Sequence, residues 1–84
     1  MLKVHYFAAL RETLGTQGEE LEMPSTEMTV AQLIAHLVGN RDEAWSILSN
    51  STQVLVAVDQ TIVERTHSLN GNEEIAFFPP MTGG

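Results

Sequence analysis

The stretch "TVAQLIAHLVG" is the strongest constraint on how this chain folds. Val30, Leu33, Ile34, Leu37 and Val38 fall at i, i+3, i+4, i+7 and i+8, which puts five apolar side chains on one stripe of an α-helix. Thr29 and Gln32 have the spacing of a capping box, and Gly39 is placed to stop the helix. The chain has 84 residues and no cysteine, so neither a disulfide nor a thiolate-bound metal can hold it together. The apolar stripe must instead be covered by what the remaining residues form.

Those residues read mostly as strands. In "LKVHYFA" Leu2, Val4, Tyr6 and Ala8 share one face, and Lys3, His5 and Phe7 the other. "ALRETLG" is a short helical turn that Gly15 closes in a left-handed cap. "EELEMP" predicts a second strand with Leu21 and Met23 inward and Pro24 at its end. Asn40 and Glu43 suggest a cap for a short second helix whose core contacts are Trp45 and Leu48. "QVLVAVD" is nearly all apolar and rich in β-branched residues, as expected of a strand buried on both faces. "DQT" is a turn, "IVER" a short return strand, Asn70-Gly71 another turn, and "EIAFF" the last strand. Alternation in the first strand against the solid 54–58 run suggests a gradient from sheet edge to centre. The order β, β, α, β, β, β predicts an α+β fold, a mixed sheet packed on one main helix with a second short helix. That is the order of the ubiquitin-like β-grasp roll. We expect residues 1–78 to form this domain and 79–84 to extend from it as a tail.

Composition narrows the function. Four Lys and Arg face eleven Asp and Glu, for a net charge of −7. Such a surface repels phosphate backbones and anionic lipid, arguing against nucleic-acid and membrane partners, and it favours either a basic protein partner or plain solubility. The N-terminus lacks the pattern of a secretory signal and no run approaches a membrane span, so a cytoplasmic protein is expected. His5, His36 and His67 have no metal-ligand spacing, so no metal is expected, and no serine has nucleophile-elbow context. Glu19, Glu20 and Glu22 read as a solvated acidic strand edge.

The remaining candidate is "FFPPMTGG". Pro79 and Pro80 fix φ near about −65° and bias Phe78 to extended geometry, so the chain should leave the sheet as a stiff spur. Six residues from Pro79 span at most about 20 Å, enough to enter another protein's pocket. Met81 and Thr82 lengthen the spur, and Gly83 and Gly84, without Cβ atoms, suit a narrow channel. The group so presented is the carboxylate of Gly84. With a pKa of about 3.5 it is an anion and a poor electrophile, and it needs activation, for which adenylation with ATP by a separate enzyme is the natural route. Sulfide or persulfide attack on the acyl-adenylate gives a thiocarboxylate; amine attack gives an isopeptide bond. Residue chemistry leaves both open.

"KVHYFAALRETLG" and "NEEIAFFPPMTGG", with "VAVDQTIV" between them, resemble the small, sulfur-carrying subunits of molybdopterin synthase, which are ubiquitin-like β-grasp proteins. Residues 40–53 carry no signature of that family, and Asp59 stands where it often has asparagine. The resemblance implies that Gly84 is adenylated by an E1-like enzyme and becomes a thiocarboxylate. The large catalytic subunit, in a heterotetramer of two small and two large subunits, would then accept the tail. There the sulfur would pass to cyclic pyranopterin monophosphate, and this chain would bind no cofactor, ATP being used by the activating enzyme. Phe7, Ile62 and Phe78 are expected to share the non-core sheet face as the partner interface. The rival readings are a sulfur carrier for thiamin thiazole synthesis and a ubiquitin-like modifier, although Lys3 is the only lysine.

Overall fold

A computed structural model describes residues 1–80. β1 (Leu2–Tyr6), β2 (Gly18–Leu21), β4 (Leu55–Val58), β5 (Thr61–Val63) and β7 (Glu74–Phe78) form one five-stranded sheet. Its order is β2-β1-β7-β4-β5; β1 and β7 run parallel and the other neighbours antiparallel. A parallel pair needs a long crossover, and the chain between β1 and β7 supplies it, with α2 (Val30–Gly39) as its main helix. A short ribbon, β3 (Met28–Thr29) with β6 (Ser68–Leu69), ties the start of α2 to the turn before β7.

The apolar stripe does what its spacing requires. Val30, Leu33, Ile34 and Leu37 are buried, Val38 is half-buried, and the inward residues of the sheet meet them in one cluster. Each such side chain removed from water contributes about 1.5–3 kcal/mol. The capping box forms: Gln32 N–H donates to Thr29 Oγ1 at 3.2 Å, and Thr29 N–H to Gln32 Oε1 at 2.8 Å. Tyr6 and Phe77, on the parallel pair, stack with ring centroids 5.8 Å apart, and Trp45 meets Tyr6 edge-on at 5.2 Å. Trp45 and Leu48 arrive on a 3-10 helix, Glu43–Ser49, and are buried.

Several boundaries differ from the sequence reading, each for a local reason. β1 ends at Tyr6, and Ala8 is exposed rather than core-facing. Leu10 N–H donates to Phe7 O at 3.1 Å, a tight turn that holds Ala8 at φ 54°, ψ −131° and opens α1 (Ala9–Leu14). Gly15 closes α1 at φ 76°, as its position suggested. β2 stops at Leu21 instead of Pro24 because Leu21 already pairs with Leu2, and β1 offers no residue beyond that to bond. Gly39 is the last residue of α2 rather than its stop; Asn40 caps, its Nδ2 donating to His36 O at 2.7 Å. The next helix is capped by Asp42, which accepts from Ala44 N–H at 3.0 Å, not by Asn40.

The expected gradient from edge to centre is also corrected. β1 is an interior strand, and β2 and β5 are the edges. β1 alternates because one face of the sheet is packed on α2 while the other carries Lys3 and His5. β4 is buried at Val56, Ala57 and Val58, whereas Leu55 is half-exposed.

Candidate functional site

The unpacked face of the sheet can be read off the strand register. Val56, Val58, Ile75 and Phe77 point to the core, so Leu55, Ala57, Ala76 and Phe78 point away from it. Ala57 pairs with Ala76 on one side and with Ile62 on the other, and Leu55 pairs with Phe78. On β1, His5 pairs with Ala76, and Phe7 follows on the same face, its N–H donating to Phe77 O at 3.0 Å. Phe7, Phe78 and Ile62, the residues expected to share this face, do share it. Leu55, Ala57 and Ala76 lie between them and were missed. Ala57 is named by nothing in the sequence except its place in an apolar run, and only pairing shows that it links Ile62 to β7.

The face is apolar and open at one end. Ile62 is 63% exposed and Phe7 48%, which makes them large apolar side chains left open to solvent. The opposite end is charged: Lys3 lies between Glu20 and Glu74 on the adjoining strands, and His5 Nε2 is 3.5 Å from Glu74. An apolar patch bounded by charge on one side is the usual form of a protein-binding surface.

β7 ends at Phe78, and the prolines that follow lie outside the sheet, as their missing N–H donors require. Pro79 and Pro80 are half-buried and line a groove of about 320 Å³ with Ala9, Leu10 and Ile47. The root of the tail is therefore seated against α1 and the 3-10 helix. Met81, Thr82, Gly83 and Gly84 lie outside the described residues.

On the core side, Glu19 belongs to a closed network rather than a solvated edge. Arg41 donates to both of its oxygens at 2.5 and 2.6 Å, and Tyr6 Oη–H donates to Oε2 at 2.9 Å. The Arg41 guanidinium stands 4.3 Å from the centre of the Trp45 ring. Hydrogen bonds from Arg41 hold the Glu19 carboxyl below its ordinary range, with Tyr6 adding to the effect and burial opposing it. Burial raises the Tyr6 hydroxyl well above its usual value, and Glu19 adds to the rise. No buried side-chain nitrogen or oxygen of the described residues lacks a partner, and the bonds of Arg41, Glu19 and Tyr6 suit a clamp joining β1, β2 and the 3-10 helix. Among the described residues no cluster of three or more His, Asp or Glu could hold a metal, and no helix is long and apolar enough to cross a membrane.

Residues 4–84 match the ThiS family. The molybdopterin synthase sulfur carrier subunit of Escherichia coli (strain K12) is 39% identical to this chain over 84 residues, covering 100% of both. A solved structure from Pyrococcus furiosus, assigned as molybdopterin converting factor subunit 1, superposes with a TM-score of 0.74 at 25% identity, covering 95% of this chain and 97% of that one. Small archaeal modifier protein 1 from Haloferax volcanii superposes with a TM-score of 0.73 at 20% identity over 95% of this chain and 97% of its own, a likeness of fold alone. The chain belongs to the ThiS family of ubiquitin-like β-grasp proteins and is a relative of the molybdopterin synthase sulfur carrier subunits.

Proposed function

We propose that this chain is the sulfur-carrying subunit of a molybdopterin synthase, with residues 1–78 as the docking domain and 79–84 as the working tail. The observation that carries the proposal is the continuity of the apolar outer face with the root of the tail. Phe78 belongs to the face and Pro79 follows it directly. A large subunit that covers Phe7, Ile62 and Phe78 takes hold of the tail at its base, so Pro79 and Pro80 aim the remaining residues into that subunit's active site.

In this reading the Gly84 carboxylate attacks the α-phosphorus of ATP on an E1-like activating enzyme and pyrophosphate leaves. Sulfide, or a persulfide whose S–S bond a second thiol then reduces, attacks the acyl-adenylate, AMP leaves, and the tail ends in a thiocarboxylate. The small side chains of Gly83 and Gly84 let the loaded end pass through a narrow channel. The sulfur is delivered there to cyclic pyranopterin monophosphate, by side chains that belong to the large subunit.

Intact mass after incubation with ATP, the activating enzyme and a sulfur source tests this. A sulfur-for-oxygen gain confined to the C-terminal peptide is expected. Deleting Gly84 should abolish sulfur transfer while the melting temperature stays within about 2 °C of the parent, because a terminal glycine has no side chain to bury. Full transfer by the deletion variant would refute the assignment, and an isopeptide product in place of the mass gain would point to protein modification.

A further inference from the structure

The chain has four Lys and Arg against eleven Asp and Glu, and the fold employs them unequally. Arg41 is held by both oxygens of Glu19. Arg65 spans two backbone carbonyls, donating to Leu48 O at 2.5 Å and Val54 O at 3.0 Å. Lys3 stands between Glu20 and Glu74 on the neighbouring strands. Arg11 is exposed on α1 and, among the described residues, has no carboxylate within ion-pair distance.

Its surroundings are specific. With Lys3, His5, Phe7, Gly18, Glu19 and Glu20 it lines a cleft of about 490 Å³ at the rim of the apolar outer face, where Glu19 is held by Arg41 and Glu20 stands opposite Lys3. Gly18 keeps that cleft open: a Cβ there would stand 2.7 Å from Val4 O, so the position excludes a side chain. The His5 ring, 6.1 Å from that of Phe7, has Glu74 as its partner. What remains beside the exposed Phe7 is a guanidinium that no carboxylate of the described residues pairs with, in a molecule of net charge −7.

A guanidinium presents a planar fork that matches a carboxylate with two hydrogen bonds. Elsewhere on this acidic surface a partner's carboxylate is repelled, so a guanidinium at the rim of an apolar patch, clear of the acids that flank Lys3, selects one docking orientation. We infer that Arg11 receives an Asp or Glu side chain of the large synthase subunit when that subunit covers Phe7, and that this pair sets the orientation of docking. The inference rests on the docking reading above and adds the chemistry of the partner at one point.

Calorimetric titration of the full chain against the large synthase subunit tests it. Arg11→Ala should weaken binding about tenfold and Arg11→Glu about a hundredfold, with Arg11→Lys between wild type and Arg11→Ala. Lys3→Ala should stay within about twofold, since Lys3 is flanked by its own acids. Added salt should weaken the wild type more than Arg11→Ala. If Arg11→Ala binds within about twofold of wild type while Phe78→Ala is clearly weakened, the carboxylate pairing is wrong and the docking face stands. An equal loss in Lys3→Ala would show general attraction and overturn the specific assignment. If the wild type fails to bind, or Phe78→Ala and Ile62→Ala bind as tightly as it does, the docking reading fails and this inference with it.

Discussion

Replacing Glu73 by glutamine removes a charge from a turn that is built around it. The carboxylate is buried at 7% exposure, and the turn before β7 folds its backbone donors onto it. Asn70 N–H donates to Oε2 at 2.7 Å, while Gly71 and Asn72 N–H donate to Oε1 at 2.9 and 3.1 Å. Glutamine keeps one oxygen. If that oxygen serves Gly71 and Asn72, the amide nitrogen faces Asn70 N–H, donor against donor, and no rotation satisfies all three. One hydrogen bond to a charged acceptor is lost, worth about 1.5–3 kcal/mol, and two others fall to the neutral value of about 1 kcal/mol. The low end of that sum, about 2.5–3 kcal/mol, is expected, because the neutral amide costs less to bury than the carboxylate; it is a large share of the stability of a domain this size, or a drop in Tm of roughly 10–20 °C.

The same group fixes a pH dependence. Burial works against the charged carboxylate, but the backbone hydrogen bonds of Asn70, Gly71, Asn72 and Glu73 itself outweigh it and hold the pKa below the ordinary value. In the unfolded chain the carboxyl titrates near about 4.3. Between the two values the unfolded chain binds the extra proton, so stability rises with pH there. The contribution is complete above the unfolded value and disappears as pH falls through the folded one. Thermal melts followed by circular dichroism at pH 7 and at steps down to about pH 2.5 should show the gap between wild type and Glu73→Gln at its full size near neutrality and closing in acid. A gap below about 3 °C at pH 7, or one that keeps its full size in acid, would refute the argument.

Two further substitutions test the two faces of the sheet. Gly18→Ala drives a methyl to within 2.7 Å of Val4 O, so the β1–β2 pairing must shift; a loss of about 1–3 kcal/mol in denaturant unfolding is expected, and an unchanged midpoint would contradict it. Ile62→Ala removes a side chain that is 63% exposed; stability should change by less than about 0.5 kcal/mol while affinity for the large synthase subunit drops about tenfold, and equal affinities would remove Ile62 from the interface.

Legibility followed the range of the interaction. The capping box at Thr29 and Gln32, the left-handed Gly15 and the stripe of α2 were readable because each depends on residues within a turn or two of one another. Two other misreadings, the end of β2 and the setting of Glu19, needed partners far along the chain. Leu21 ends β2 because Leu2 does, and Glu19 leaves the solvated edge because Arg41, 22 residues later, reaches both its oxygens. The ribbon β3–β6 has two residues per strand, too short for any period to register. Nothing local in "LNGNEE" says that the turn at Asn70-Gly71 will close over Glu73.

The outer face shows why part of a site can be visible and its extent hidden. Phe7, Ile62 and Phe78 were placed together by alternation alone, which assigns a face to each strand but not a neighbour to each residue. Making the patch continuous took the register Ile62–Ala57–Ala76–His5 across β5, β4, β7 and β1. The small side chains in the middle of that row matter for the proposed function. Two alanines there keep side chains short in the middle of the row between Ile62 and His5. The packed face cannot change without cost, because Val4, Tyr6, Ile75 and Phe77 are each fully or almost fully buried against α2 and the 3-10 helix. One face of the sheet thus answers to stability and, in the proposed function, the other to docking, so that β7 serves both. Its inward residues Ile75 and Phe77 anchor the strand whose outward residue, Phe78, hands the chain on to Pro79. A partner gripping Phe78 therefore pulls on a strand bonded to β1 on one side and β4 on the other, which makes the base of the tail a fixed point from which the working residues can be aimed.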